Sequence, residues 1–219
     1  APPSSPGGAA APAAERNLAM GTGEARNPEP FTRERRLLDA VQRNDRATIE
    51  RALELGVPVD AKDDLGRSAL LLAASDAGDL ELVRFLHAKG AAVDEPDVQG
   101  RAALSHAAAE GRVEIVRWLV DNGAEVDRPD WQQRTPLFHA ALRDQTAVVA
   151  LLLDRGADPN VRDQFGDTPL IVACAKGNAD TAALLVARGA DPSLEDQEGR
   201  TASERSAPGV EACRPRTPA

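Results

Sequence analysis

The chain has 219 residues, 42% of them hydrophobic, 28% charged and 3% aromatic, with 16 Pro, 17 Gly and 2 Cys, a balance that excludes collagen-like, membrane-spanning and disulfide-dense classes. So few aromatics leave Ala, Leu and Val to fill the interior, which is the composition of short, closely packed helices. A formal net charge of −9 and a pI near 4.9 exclude phosphate-backbone binding, which needs a clustered basic surface, so no nucleic-acid partner is expected.

Residues 1–30, opening Ala1-Pro2-Pro3-Ser4-Ser5-Pro6-Gly7-Gly8, lack any apolar periodicity that could offset the entropy of ordering them and read as a disordered Ala/Pro/Gly-rich leader. The start at Ala1 fits either a trimmed terminus or the removal of an export signal. No stretch reaches the ~18 consecutive apolar residues of a membrane span.

From residue 31 the chain repeats. Asp63-Asp64-Leu65-Gly66, Asp97-Val98-Gln99-Gly100, Asp130-Trp131-Gln132-Gln133, Asp163-Gln164-Phe165-Gly166 and Asp196-Gln197-Glu198-Gly199 recur at steps of 34, 33, 33 and 33. Gly90-Ala91, Gly123-Ala124, Gly156-Ala157 and Gly189-Ala190 keep the same phase, with Gly56-Val57 one step earlier. The single step of 34 comes from one extra residue between Leu70 and Gly78. Within a unit, Thr135-Pro136-Leu137 and Thr168-Pro169-Leu170 start a short helix, with Thr at the N-cap and Pro at the first helical position. That helix breaks near Gly111, Asp144 or Gly177. A second helix such as Val113-Glu114-Ile115-Val116-Arg117-Trp118-Leu119-Val120 follows and ends at Gly123, a left-handed C-cap. Helices this short are marginal alone, so each is held by its neighbours.

Asp-x-x-Gly-x-Thr-Pro-Leu, the Ala pair and Leu-x-x-x-Gly-Ala at this period resemble the ankyrin repeat. The resemblance covers residues 31–207: a degenerate N-terminal cap at 32–60, four full repeats to Asp191 and a truncated C-terminal unit. It implies an all-α solenoid of helix-turn-helix units joined by β-turn or hairpin loops, followed by a flexible tail at 208–219. Gln133 and Asp144 replace the two usual glycines of one unit, so its turns are expected to be the least ideal. In the last unit Ser203 replaces a core Leu and Pro208-Gly209 stops the helix, as in a polar end-cap.

Two cysteines make no framework. Cys174 and Cys213 stand either as free thiols or, in an exported chain whose tail folds back over the last helices, as a disulfide. Their spacing fits no zinc motif. The recurring Asp reads as a cap on its own turn rather than a row of ligands, because packed helices stand about 8–10 Å apart. His106 and His139 are one repeat apart on adjacent inner helices, so the same spacing argues against a shared zinc, and His87 occupies an apolar outer-helix position. No nucleophile constellation or phosphate loop is present, so neither catalysis nor a metal or cofactor is expected.

The resemblance implies a monomeric protein-protein interaction module using the concave surface made by turn tips and inner helices. The positions that vary over the constant frame include Leu65, Val98 and Arg101 at the tips and His106 and Arg143 on the inner helices. Trp131 and Phe165, two of six aromatics, occupy adjacent tips. A contact centre at Trp131, Arg134, His139 and Phe165 is expected, the alternative being that the two aromatics stiffen the turns. Trp118 and Phe85 read as packing between outer helices. The 23 Arg against 3 Lys suit a GC-rich bacterial coding sequence. Bacterial members of the family include periplasmic and secreted proteins. Two roles follow: a scaffold for a protein partner, or an accessory or immunity-like factor that protects or inhibits a secreted or periplasmic enzyme or toxin. The expected location is periplasmic or secreted, with the cytoplasm as the alternative.

Overall fold

The computed structural model describes residues 30–208 together with Val210 and Cys213; the leader assigned to residues 1–30 lies outside them but for Pro30. Each unit is a finger-like turn, an inner helix and an outer helix. The inner row is α1 (Pro30–Gln42), α3 (Ala69–Leu72), α5 (Ala103–Ala109), α7 (Pro136–Leu142), α9 (Pro169–Lys176) and α11 (Ala202–Arg205). The outer row is α2 (Arg46–Glu54), α4 (Leu80–Ala88), α6 (Val113–Asp121), α8 (Thr146–Asp154) and α10 (Ala179–Ala187). Neighbouring inner helices pack on one another, each inner helix from α1 to α9 packs on its outer helix, the outer helices from α4 onward pack in sequence, and the described residues contain no strand. Ala107, Ala108, Ala140, Ala141 and Ala173 are fully buried along the inner row, so small side chains set the close spacing between units.

The local chemistry places the helix starts. Thr135 Oγ1 accepts the Phe138 N–H at 3.3 Å and Thr168 Oγ1 that of Ile171 at 3.2 Å, each with Pro at the first helical position. The break between inner and outer helix is a left-handed residue at Asn44, Gly78, Gly111, Asp144 and Gly177. Gln133 and Asp144 adopt φ of 62° and 57° and so hold the glycine geometry of their sister units; a side chain there costs about 1–2 kcal/mol each. The Asp144 carboxylate accepts the Thr181 hydroxyl at 2.8 Å, an offsetting contact with the following outer helix.

The extra residue of the 34-residue step takes the form of a π-helical turn, Ala73–Ala77. The turn closes from Asp79 N–H to Ala73 C=O, six residues back, where its sisters close from Arg112 to Ala107 and from Gln145 to Ala140, five back. One residue is thus absorbed in one widened turn, and the register of the stack resumes after it.

The two ends differ. At the N-terminal end α1 is 13 residues long and begins 14 residues ahead of Asn44, where the later units begin a finger. At the C-terminal end α11 carries a capping box between Thr201 and Glu204 and stops at Arg205. Among the described residues no outer helix follows. Instead Ala207 N–H donates to Cys174 C=O at 2.9 Å, Val210 and Cys213 are buried, and Cys213 is disulfide-bonded to Cys174 with a Cα–Cα distance of 6.0 Å. Of the segment 208–219 expected to be a flexible tail, Pro208, Val210 and Cys213 are the described residues.

Candidate functional site: the finger ridge and its groove

The fingers at 63–67, 97–101, 130–134, 163–167 and 196–200 are built on one device. The leading Asp turns Oδ1 onto two backbone N–H groups of its own turn: Gln99 and Arg101 for Asp97 at 2.8 and 3.0 Å, Gln132 and Arg134 for Asp130 at 2.8 and 2.9 Å. Asp63, Asp163 and Asp196 repeat it. Backbone bonds then run from finger to finger: Val98 N–H to Leu65 C=O at 2.9 Å, Trp131 to Gln99 at 3.1 Å, Gln164 to Gln132 at 2.8 Å and Gln197 to Phe165 at 3.0 Å. The tips form one ladder, whose side chains are held at fixed spacing.

The second oxygen of the finger Asp takes an imidazole or guanidinium partner, from the inner helix at Asp97, Asp130 and Asp196. His106 Nε2 lies 2.8 Å from Asp97 Oδ2 and His139 Nε2 2.9 Å from Asp130 Oδ2. Arg205 reaches Asp196 at 2.6 Å and Asp167 at 3.1 Å. Asp163 is instead met by Arg134, which crosses from the preceding finger at 3.1 Å and lies 5.1 Å over the Phe138 ring. Burial raises the Asp97 carboxyl, but hydrogen bonds from His106, Arg101 and Gln99 outweigh it and hold the group below its ordinary value. Asp130 is lowered in the same way, burial being outweighed by His139 and the turn N–H groups. Burial also raises Asp196, but the Arg200 N–H with the Arg205 and Arg200 side chains outweighs it and holds that carboxyl far below its ordinary value. Burial lowers His106, with Arg101 and His139 adding to the effect and Asp97 opposing it. His106 is therefore neutral at pH 7, with its proton on the nitrogen facing Asp97.

Trp131 is 70% exposed and Phe165 48%, and Leu65 and Val98 on the earlier fingers are also exposed apolar side chains. One edge of the Trp131 ring rests on Gly100, where an added Cβ would collide with Cδ1; the finger thus packs one edge of the indole and leaves the rest in water. Arg143 is exposed at the end of α7, while Arg134, Arg101 and His106 are half-buried. His139 is only 8% exposed. The expectation that it touches a partner gives way to a positioning role, holding Asp130 and so the finger that carries Trp131. The signal was in the sequence: Asp97 to His106, Asp130 to His139 and Asp196 to Arg205 share a spacing of nine. On the outer row Trp118 meets His87 edge-on at 5.2 Å, and Arg46 lies 3.5 Å over the Phe85 ring.

The family model described as ankyrin repeats (3 copies) matches residues 37–130 and 128–196. The chain belongs to the ankyrin-repeat family. No curated protein matches it in sequence. Ankyrin repeats are in general protein-interaction modules and typically lack catalysis. Among the described residues no three His, Cys, Asp or Glu are grouped to hold a metal ion, and no described helix is long and apolar enough to cross a membrane.

Proposed function

We propose that this ankyrin-repeat chain is a monomeric, non-enzymatic binding protein that engages a protein partner along its finger ridge, with Trp131 and Phe165 as anchors and Arg134, Arg101, His106 and Arg143 beside them. The observation that carries it is the exposure of two aromatic side chains on adjacent fingers whose backbones are hydrogen-bonded to their neighbours. Such anchors lose little conformational freedom on binding, and Trp and Arg dominate interface energetics. The test is the W131A/F165A double variant, compared with the parent chain for partner recovery and melting temperature. Recovery should fall at least tenfold with melting unchanged. Full recovery with a lowered melting temperature would leave the two rings as finger packing only.

The Cys174–Cys213 bond favours a particular setting for this activity, because disulfides persist in oxidising compartments. We infer a periplasmic or secreted protein, acting there as an accessory or immunity-like factor that protects or inhibits an enzyme or toxin. Thiol alkylation of native extract without reductant should add no label. Two labelled thiols would place the chain in the cytoplasm.

A further inference from the structure

The groove between fingers and inner helices is filled by the protein's own side chains along most of its length, and the filler is an imidazole or guanidinium. Five residues ahead of the left-handed break stand His106, His139 and Val172, and six ahead, in the unit with the extra residue, stands Leu72. Where that residue is His, it meets the finger Asp directly. Where it is Val172, Arg134 crosses from the unit before to supply the guanidinium. Arg134 lies ten residues ahead of its own break, Asp144.

In the unit before that of Leu72 the same count gives the reverse charge. Ten residues ahead of Asn44 is Glu34, and five ahead is Asp39. Both line a cavity of about 230 Å³ between α1 and the finger at 63–67, whose apolar lining is Leu38, Leu72 and Leu65. Leu38 and Leu72 are buried and Leu65 is 54% exposed. The cations around this cavity are already engaged: Arg67 with Asp63 at 2.8 Å and Asp76 at 3.3 Å, Lys62 with Glu95 at 2.7 Å, and Arg35 with Asp64 at 3.8 Å. Among the described residues neither the Glu34 nor the Asp39 carboxylate has a hydrogen-bond or ion-pair partner.

We propose that this cavity is a seat for a cationic side chain, arginine or lysine, presented by the protein partner. The aliphatic stem would lie on Leu38, Leu72 and Leu65 and the charged head would reach Glu34 and Asp39, the division of labour that long basic side chains favour. The net charge of −9 would draw a basic partner toward it. The assignment rests on the partner-binding reading above but uses none of its residues, so the two fail separately: loss of the W131A/F165A effect would leave this cavity untouched.

The probe is N-acetyl-arginine amide, titrated into the full chain while the methyl resonances of Leu38, Leu65 and Leu72 are followed by NMR. A saturable shift confined to these three leucines is expected. It should weaken at least tenfold in the double variant Glu34→Gln/Asp39→Asn, whose fold is checked by circular dichroism, and be absent with N-acetyl-glutamine amide. Equal shifts with the glutamine compound, or in the double variant, would overturn the seat. Binding that emerges only after Arg16→Gln/Arg26→Gln would show the seat held by the chain's own leader and overturn its assignment to a partner.

Discussion

The last third of the stack matches its polar groups more completely than the rest. Asp163, Asp167 and Asp196 are all paired with arginines, and the chain end is bonded to α9 through Cys213. Toward the N-terminus Glu34 and Asp39 face a cavity without described partners, and Asp94 and Asp127 each bury one oxygen that has no hydrogen bond. A solenoid lacks a central core that could average such differences, because each unit touches only its neighbours. Local matching therefore sets local stability, and the C-terminal unit, with four residues of α11 and no outer helix among the described residues, is the one that most needs it.

Breaking the clip should have the largest effect. A cross-link over a sequence separation of 39 is worth about 4 kcal/mol in chain-entropy terms. The C213S variant, or the reduced parent chain, should lose about that much in denaturant unfolding. Hydrogen exchange should rise first in α11 and the end of α9, leaving α1 and α2 protected. Unchanged protection in α11 after reduction would mean that Val210 and the arginine pairs hold the end by themselves.

Acid should separate the two regions by pH. His106 is lowered by burial, so its unfolded form binds the proton more readily, and its contribution is complete above the ordinary value of 6.5 and is lost as pH falls below it. Asp196 is lowered from 3.8, burial being outweighed by Arg200 and Arg205, so its contribution persists until the pH falls below the ordinary carboxylate range. Exchange mapped at pH 7 and 5 should therefore show α5 loosening while α11 keeps its protection. H106Q should flatten the slope in that window. A uniform loss across the units would contradict the assignment.

The frame of this molecule was legible because its devices are local. Finger Asp residues, Thr-Pro helix starts and left-handed positions each need a particular residue type at a particular place, and Gln133 and Asp144 showed themselves as substitutes. The extra residue near Leu70 was visible too, but its form as a π turn depends on how the neighbouring helices tolerate a bulge. Cross-unit choices were the least legible. Nothing in the finger motif says that Arg134 turns forward to Asp163 while Arg67 turns back onto Asp63, or that α1 runs on through the position of a finger. The burial of His139 was missed because a histidine on a variable position reads as a contact until its aspartate partner is placed.

The smallest effect tests the contrast in a single atom. Asp60, Asp94, Asp127 and Asn160 occupy one seam at steps of 34, 33 and 33, and each accepts a backbone N–H of the next unit: Ala92, Glu125, Asp158 and Asp191. Asn160 uses its second atom as well, donating Nδ2 to Gly189 C=O at 3.2 Å. Asp127 offers an oxygen where Asn160 offers a donor, and that oxygen is buried without a partner. Burial, with Asp158 and Glu125 nearby, raises its carboxyl above the ordinary value, so the ionised form present at pH 7 costs stability. D127N keeps the acceptor for Asp158 and places an amide opposite the Gly156 carbonyl, the counterpart of Gly189. The variant should be more stable by about 1 kcal/mol at pH 7, and the gain should shrink as the pH falls toward the carboxylate range and Asp127 takes up its proton. A loss of stability at pH 7 would show that the unpaired oxygen is not the weak point of this seam.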